Sequence, residues 1–244
     1  MFKHLVIAAL ITFTSGLTGC NAINGQPVDS AASSNIGPSL PFTAQGNEPP
    51  WQLVITASHL KLTQGYQLKS QQFTMADKHQ VGKKIRITGK NQALIVSLTP
   101  DICHDSMSAM PYPWQAKVTV AGKNLQGCAG EPLELLLGEW QIEDINGEGI
   151  LNNSHLTLTF DDKGRVYGSA SCNRYSSSYK LTGENLTFKP GLVTKMACPE
   201  ALMNQEKKFL AIFNEINQFD INKNGALILK SHNGKTLRGY LLGQ

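Results

Sequence analysis

The side-chain pattern predicts a mainly β protein, a small antiparallel barrel or sandwich followed by a curved antiparallel sheet packed on one helix (α+β in that second half). Three observations carry this reading. Apolar residues recur at every second position in short runs, Gly, Asn, Pro and Asp separate those runs, and one stretch after Pro199 changes to helical spacing.

The first region runs over residues 42–130. Trp51, Leu53 and Ile55 alternate, as do Leu60 with Leu62, Tyr66 with Leu68, Phe73 with Met75, Ile85 with Ile87, and Leu94, Val96 and Leu98. Trp114, Ala116, Val118 and Val120 form the longest such run. Period two over short segments means antiparallel strands with one face buried, and no helical stretch interrupts them.

Gly130-Glu131-Pro132 reads as a boundary, after which residues 131–244 start a new pattern. Trp140 and Ile142 make one strand, Leu156, Leu158 and Phe160 another, with a turn at Asp161-Asp162-Lys163-Gly164. Val166, Gly168, Ala170 and Cys172 alternate next, and Tyr179 and Leu181 pair with Leu186 and Phe188 across a turn containing Gly183. Pro199 then opens a helix with Glu200 in its first turn, where the dipole favours a negative charge. Leu202, Phe209, Ile212, Phe213 and Ile216 fall on its apolar face, and Glu206, Lys207, Lys208, Asn214 and Glu215 on the polar one. Two strands, 226–230 and 236–241, close the chain through the hairpin signal Asn233-Gly234.

At the N-terminus, Lys3 precedes an apolar run from Leu5 to Phe13, too short to span a bilayer, and small residues lead to Leu17-Thr18-Gly19-Cys20. This ending resembles the bacterial lipobox, in which the Cys is acylated and becomes the new N-terminus. Residues 1–19 are then a signal peptide, and residues 20–41 a lipidated tether rich in Asn, Ser, Ala, Gly and Pro. Several acyl chains at about 0.8 kcal/mol per buried CH₂ give lasting anchorage. Asn21 follows Cys20. By resemblance to enterobacterial sorting, a residue other than Asp there implies the outer membrane, with the folded domains in the periplasm.

The chain that remains after Cys20 keeps 21 basic against 18 acidic residues, a balance that gives no reason to invoke nucleic acid. Cys103, Cys128, Cys172 and Cys198 are an even number in an oxidising compartment. Three connectivities are open. Pairing Cys103 with Cys128 and Cys172 with Cys198 keeps each bridge within one apparent domain. Each would stabilise by about 3–4 kcal/mol through loop entropy. Zinc normally needs two ligands a few residues apart, and these cysteines have no such spacing. The six histidines (His4, His59, His79, His104, His155, His232) are dispersed, so no metal or cofactor is expected.

Cys103-His104-Asp105 sets three reactive types in a row, but neighbours on an extended chain face opposite ways, and an oxidised Cys103 is no nucleophile. The structural alternative is a disulfide-anchored loop in which Asp105 and Ser106 bond local backbone. Ser177-Ser178-Tyr179-Lys180 matches a Ser-x-x-Lys string, yet it enters a strand, where Lys cannot lie one turn from Ser. Trp51 reads as core, and Glu48 as a turn residue. Asn173 and Arg174 are the candidate binding pair: Arg174 can receive an anionic headgroup or a carboxylate. The alternative is that Asn173 adopts an unusual backbone conformation or caps the turn beside the disulfide.

Leu137-Gly138-Glu139-Trp140, Gly168-Ser169-Ala170-Ser171-Cys172-Asn173-Arg174-Tyr175, Thr194-Lys195-Met196-Ala197-Cys198, and Met203 with Glu206 together resemble the META domain, also called the HslJ-type heat-shock domain, over residues 135–242. Ser171 stands where that family often has Gly, a departure that bears on backbone freedom. Gly46-Asn47-Glu48-Pro49-Pro50-Trp51, Cys103-His104-Asp105-Ser106-Met107-Ser108, Met110-Pro111-Tyr112-Pro113 and Gly127-Cys128 resemble a domain of small bacterial envelope lipoproteins. That likeness implies the Cys103–Cys128 bridge. Neither likeness implies an enzymatic activity. META domains are associated with stress response, drug resistance and secretion, and their fold looks similar to that of a type III secretion pilotin.

The expectation is a non-enzymatic envelope lipoprotein that supports outer-membrane integrity or stress and drug tolerance. It would be membrane-bound through its N-terminal lipid and would hold an envelope protein or a lipid. His104 and Asp105 join Asn173 and Arg174 as binding candidates. A pilotin-like chaperone for a lipid tail or secretin, and an inhibitor of a lysozyme-type hydrolase using the loop 103–110, remain open. Nothing in the sequence sets the oligomeric state.

Overall fold

The computed structural model describes residues 37–243. The expected signal peptide, Cys20 and the tether up to residue 36 lie outside the described residues.

Strands β1 (Phe42–Asn47), β2 (Pro50–Ile55), β3 (His59–Gln64), β4 (Lys69–Val81), β5 (Lys84–Gly89) and β6 (Leu94–Thr99) come first. A small hairpin, β7 (Cys103–His104) and β8 (Pro111–Tyr112), precedes β9 (Trp114–Val120) and β10 (Lys123–Ala129). All but the small hairpin close into an antiparallel barrel ordered β1-β10-β9-β6-β5-β4-β3-β2. Eight strands enclose just enough space for their own side chains. Leu53, Ile55, Leu60, Val96, Leu98 and Val118 fill it, all at 0% exposure, so the period-two pattern becomes inside against outside.

Three sequence readings change here. Tyr66 and Leu68 alternate but lie in the β3–β4 turn, Tyr66 being 91% exposed. Strand β4 is thirteen residues long, well beyond Phe73 and Met75, because it pairs first with β3 and then, past an irregularity at Met75–Asp77, with β5. Strand β10 was hidden because Gly127 interrupts its apolar alternation. A Cβ on Gly127 would collide with the Gln45 carbonyl of β1.

The second sheet uses β11 (Gly138–Ile145), β12 (Glu148–Gly149), β13 (Thr157–Phe160), β14 (Arg165–Ser169), β15 (Arg174–Leu181), β16 (Leu186–Phe188) and β17 (Leu192–Val193). Helix α1 (Glu200–Phe213) follows, then β18 (Ile216–Ile221), β19 (Leu227–Ser231) and β20 (Thr236–Leu241). The order β16-β15-β14-β13-β11-β20-β19-β18 curls until its two ends touch, a nearly closed curved sheet. The hairpin at Gly183 forms in the expected register, Tyr179 facing Phe188, and the hairpin at Asn233-Gly234 also forms, with Lys230 facing Thr236.

Helix α1 buries Phe209, Ile212 and Phe213, and Phe213 stacks on Phe188 of the sheet with centroids 4.3 Å apart. Pro199 is the N-cap, one position earlier than expected. Ile216 belongs to β18, not to the helix face, and β18 itself was not read. A register shift between Ile216 and Gln218 breaks its alternation.

Both expected disulfides are present, Cys103–Cys128 and Cys172–Cys198, with Cα separations of 5.4 and 6.0 Å. The expected boundary at 130/131 separates the two sheets, but not the two cores. Met110 and Tyr112 of the small hairpin, only 2% and 7% exposed, pack with the second core rather than the barrel. Residues 36–244 form one compact unit that contains both cores.

Candidate functional site

Two sequence motifs far apart in the chain meet on the outer wall of the barrel. The register sets Ser97 beside Lys117 and Lys117 beside Gln126, one polar row across β6, β9 and β10. Gln115 lies between Thr99 and Cys128, and Cys128 lies beside Gln45 of β1. Over this polar floor the segment 102–106 folds back, fastened by the Cys103–Cys128 bridge. Gly46, Asn47 and Glu48 form the facing wall. The result is a groove of about 780 Å³, with Lys84 at one end.

Hydrogen bonds make the wall rigid. Asn47 Nδ2 donates to Asp105 Oδ2 (2.9 Å) and to Ser106 Oγ (3.1 Å), joining the two motifs directly. Asp105 Oδ1 accepts from the backbone N–H groups of Met107 and Ser108, both at 2.9 Å. Burial pushes the Asp105 carboxyl up. The bonds from Ser108, Asn47 and Met107 pull it down further and leave it below its ordinary value. Asp105 is thus the loop's own cap. Trp51, 4% exposed, is core as expected, and its indole N–H reaches the Gln126 carbonyl at 3.1 Å. Gly46 has no Cβ because one would strike that indole.

His104 turns away from Asp105. Its Nε2 lies 2.8 Å from Asp220 Oδ1 in the second sheet, and Asp220 Oδ2 is 3.5 Å from Lys230 Nζ. The Cys103-His104-Asp105 run therefore sends its three side chains to a disulfide, the second sheet and its own loop. Ser177 and Lys180 lie on β15, where Ser177 Oγ donates to the Lys189 carbonyl.

Asn173, 5% exposed, is fully used inside the fold. Its backbone N–H and Nδ2 donate to Glu206 of α1 at 2.7 and 3.1 Å. Its Oδ1 accepts from Thr194 Oγ1 at 2.8 Å and from the Met196 N–H at 2.7 Å. The structural alternative is what the geometry shows for Asn173. Glu206, read as part of the helix's solvated face, is half-buried here as the receiver of Asn173. The unusual backbone belongs to Ser171, whose φ is +89°. Gln205 Nε2 donates to Ser171 Oγ at 3.1 Å and to Ser154 Oγ at 2.9 Å. Arg174 projects from the sheet, exposed, and its guanidinium makes no ion pair among the described residues.

A second cavity, about 510 Å³, opens at the seam between the halves, walled by Tyr112, Tyr179, Leu133, Leu181 and Glu131. Burial, then the charges of Asp105 and Glu131, raise the Tyr112 phenol, and burial with Asp161 and Asp162 raises Tyr179.

Gln45, Lys84, Gln115, Lys117 and Gln126 were not singled out in the sequence. Each reads as an ordinary outward strand or turn position. The available signal was the disulfide itself, which draws a polar loop across the outer face of β10.

Residues 133–241 match the family model of the META domain. No curated protein matches the chain. An NMR structure of a protein from Burkholderia xenovorans is similar at 24% identity, covering 46% of this chain and 86% of its own, with a TM-score of 0.39. A second NMR structure shares 25% identity, covering 45% of this chain and 94% of its own, with a TM-score of 0.37. The residues that match the META model hold the curled sheet, α1 and the Cys172–Cys198 bridge, and the closed barrel lies outside the match.

Proposed function

We propose that this protein is a non-enzymatic lipoprotein of the bacterial outer membrane, acylated at Cys20, that supports envelope integrity or stress and drug tolerance by holding a polar envelope partner in the barrel groove. A META domain points to a stress-related envelope protein family. The observation that carries the reading is the meeting of Gly46–Glu48 and Cys103–Ser106 on one groove. Their joint geometry holds the groove wall rigidly through the Cys103–Cys128 bridge and hydrogen bonds to the Asp105 carboxylate.

The groove's chemistry selects the partner. Amides, hydroxyls, the ammonium groups of Lys84 and Lys117 and the carboxylates of Glu48 and Asp105 line it, which suits an extended polar chain rather than an acyl tail. The barrel interior is filled by its own side chains, which counts against the pilotin-like chaperone. The hydrolase-inhibitor reading keeps one supporting observation: Met107, 81% exposed, stands at the tip of the rigid Asp105-capped loop. Inhibition of lysozyme that Met107→Ala abolishes would establish that reading instead.

The anchor is tested by Cys20→Ala. The folded body should leave the membrane fraction after a wash at about 0.5 M salt, which screens ionic contacts. Retention under that wash would contradict lipidation.

A further inference from the structure

We propose that the β4–β5 ribbon of the barrel is a docking element for an anionic phospholipid surface. The charge of the chain is unevenly divided. Residues 37–130 carry nine Lys and Arg against four Asp and Glu, whereas residues 131–244 carry twelve against thirteen. Four of the nine cations, Lys78, Lys83, Lys84 and Arg86, lie on the stretch of this ribbon between Asp77 and Thr88. All four are exposed and none is in an ion pair among the described residues. The ribbon's one acid, Asp77, is taken by His79 at 2.9 Å.

The β4 edge of the ribbon is free, while β5 is held on its other side by β6. Strand β3 pairs with β4 only as far as Thr74, so from Asp77 to Val81 strand β4 has β5 alone as partner. The register sets His79 opposite Arg86 and Val81 opposite Lys84 on the outward face. Val81, 67% exposed, sits at the tip beside Gly82 and Lys83. A cationic ribbon with an apolar tip matches a phosphate-bearing interface.

Where the described chain begins supplies the independent observation. A Cβ placed on Gly37 would lie 3.3 Å from Ile85 Cδ1 and 3.4 Å from Lys78 Nζ, so Gly37 lies against this ribbon. If Cys20 bears lipid, sixteen residues separate it from Gly37, a span of at most about 55 Å. A tether of that length keeps the ribbon within reach of the anchoring bilayer. This last step rests on the lipoprotein reading; the charge and the exposure do not.

The test uses residues 36–244, which contain both cores in one compact unit. Without Cys20 in the sample, its outcome is independent of acylation. Co-sedimentation is measured with vesicles of phosphatidylcholine containing about 30% phosphatidylglycerol and with phosphatidylcholine alone. Each cation near an anionic surface contributes about fivefold in binding. The triple variant Lys83→Gln, Lys84→Gln, Arg86→Gln should bind about a hundredfold more weakly, with an unchanged circular dichroism spectrum. Removing three exposed cations elsewhere, by Lys189→Gln, Lys195→Gln and Lys207→Gln, should cost less than threefold. Absence of binding to the anionic vesicles, equal binding to pure phosphatidylcholine, or an equal loss in both triple variants would overturn the proposal.

Discussion

His104 of the barrel loop and Asp220 of the second sheet are hydrogen-bonded at 2.8 Å, across 116 positions of chain. With Met110 and Tyr112 buried in the second core, this bond makes the loop 103–112 a splint between the two halves. One segment therefore walls the groove on one side and seals the second core on the other.

Truncating the splint should thus destabilise the half that does not encode it. Met110→Ala is expected to cost about 2–4 kcal/mol by opening a cavity in the second core. Trp140 is buried in that core and Trp114 lies against the barrel core. Urea unfolding followed through each in single-Trp variants should place the loss on the Trp140 transition. His104→Ala removes a half-exposed contact and should cost less than about 1 kcal/mol.

Asn173 and Arg174 are neighbours with opposite expected outcomes. Asn173→Ala leaves Glu206, Thr194 and the Met196 N–H without their part-buried partner, so a loss of about 1–3 kcal/mol is expected in thermal unfolding. Arg174→Ala should change stability by less than about 0.5 kcal/mol. A stable Asn173→Ala variant would refute its structural role.

Ser171 occupies a backbone region that disfavours side chains, at a cost of about 1–2 kcal/mol. Its hydroxyl recovers part of this through Gln205. Ser171→Gly should stay within about 1 kcal/mol of wild type, whereas Ser171→Ala keeps the strain, loses the bond and should be the less stable of the two. Denaturant midpoints of the two variants give the ranking directly.

Stability should fall at both ends of the pH scale for different reasons. The Asp105 carboxyl is lowered in the folded state, so its contribution is present above the unfolded value near 3.9 and lost as pH falls through the folded value beneath it. The loop 105–110 should open first in acid, read as faster amide exchange at Met107 and Ser108. The buried Tyr175 phenol is raised well above its ordinary value, and its hydroxyl donates to the Thr157 carbonyl at 2.9 Å. Its contribution is complete below about pH 10 and lost as pH rises beyond it. Tyr175→Phe should flatten the alkaline limb of the melting-temperature profile.

Much of this fold was legible because alternation maps directly onto a closed sheet. Leu94, Val96 and Leu98 point inward as their spacing requires, and the single helix announces itself through Phe209, Ile212 and Phe213. The misses share a cause: the local pattern was altered by something distant. Gly127 sits where Gln45 approaches, β18 carries a register shift, and Tyr66 alternates within a turn. The groove was illegible for the same reason. Its floor consists of outward strand residues that become a site only when the disulfide draws another segment over them. Asn173 was found as a residue of note, but its partner Glu206 lies a helix away and no local spacing reveals it.

The measurement that bears most directly on the central claim is affinity capture of the native acylated protein from its own envelope, wild type beside Lys117→Glu in the groove, with mass spectrometry of the proteins and glycans recovered. The expected result is a stoichiometric polar partner with the wild type that Lys117→Glu loses, while both proteins remain folded and membrane-bound. Recovery of the same partner in equal amount with both would contradict the groove as its binding surface.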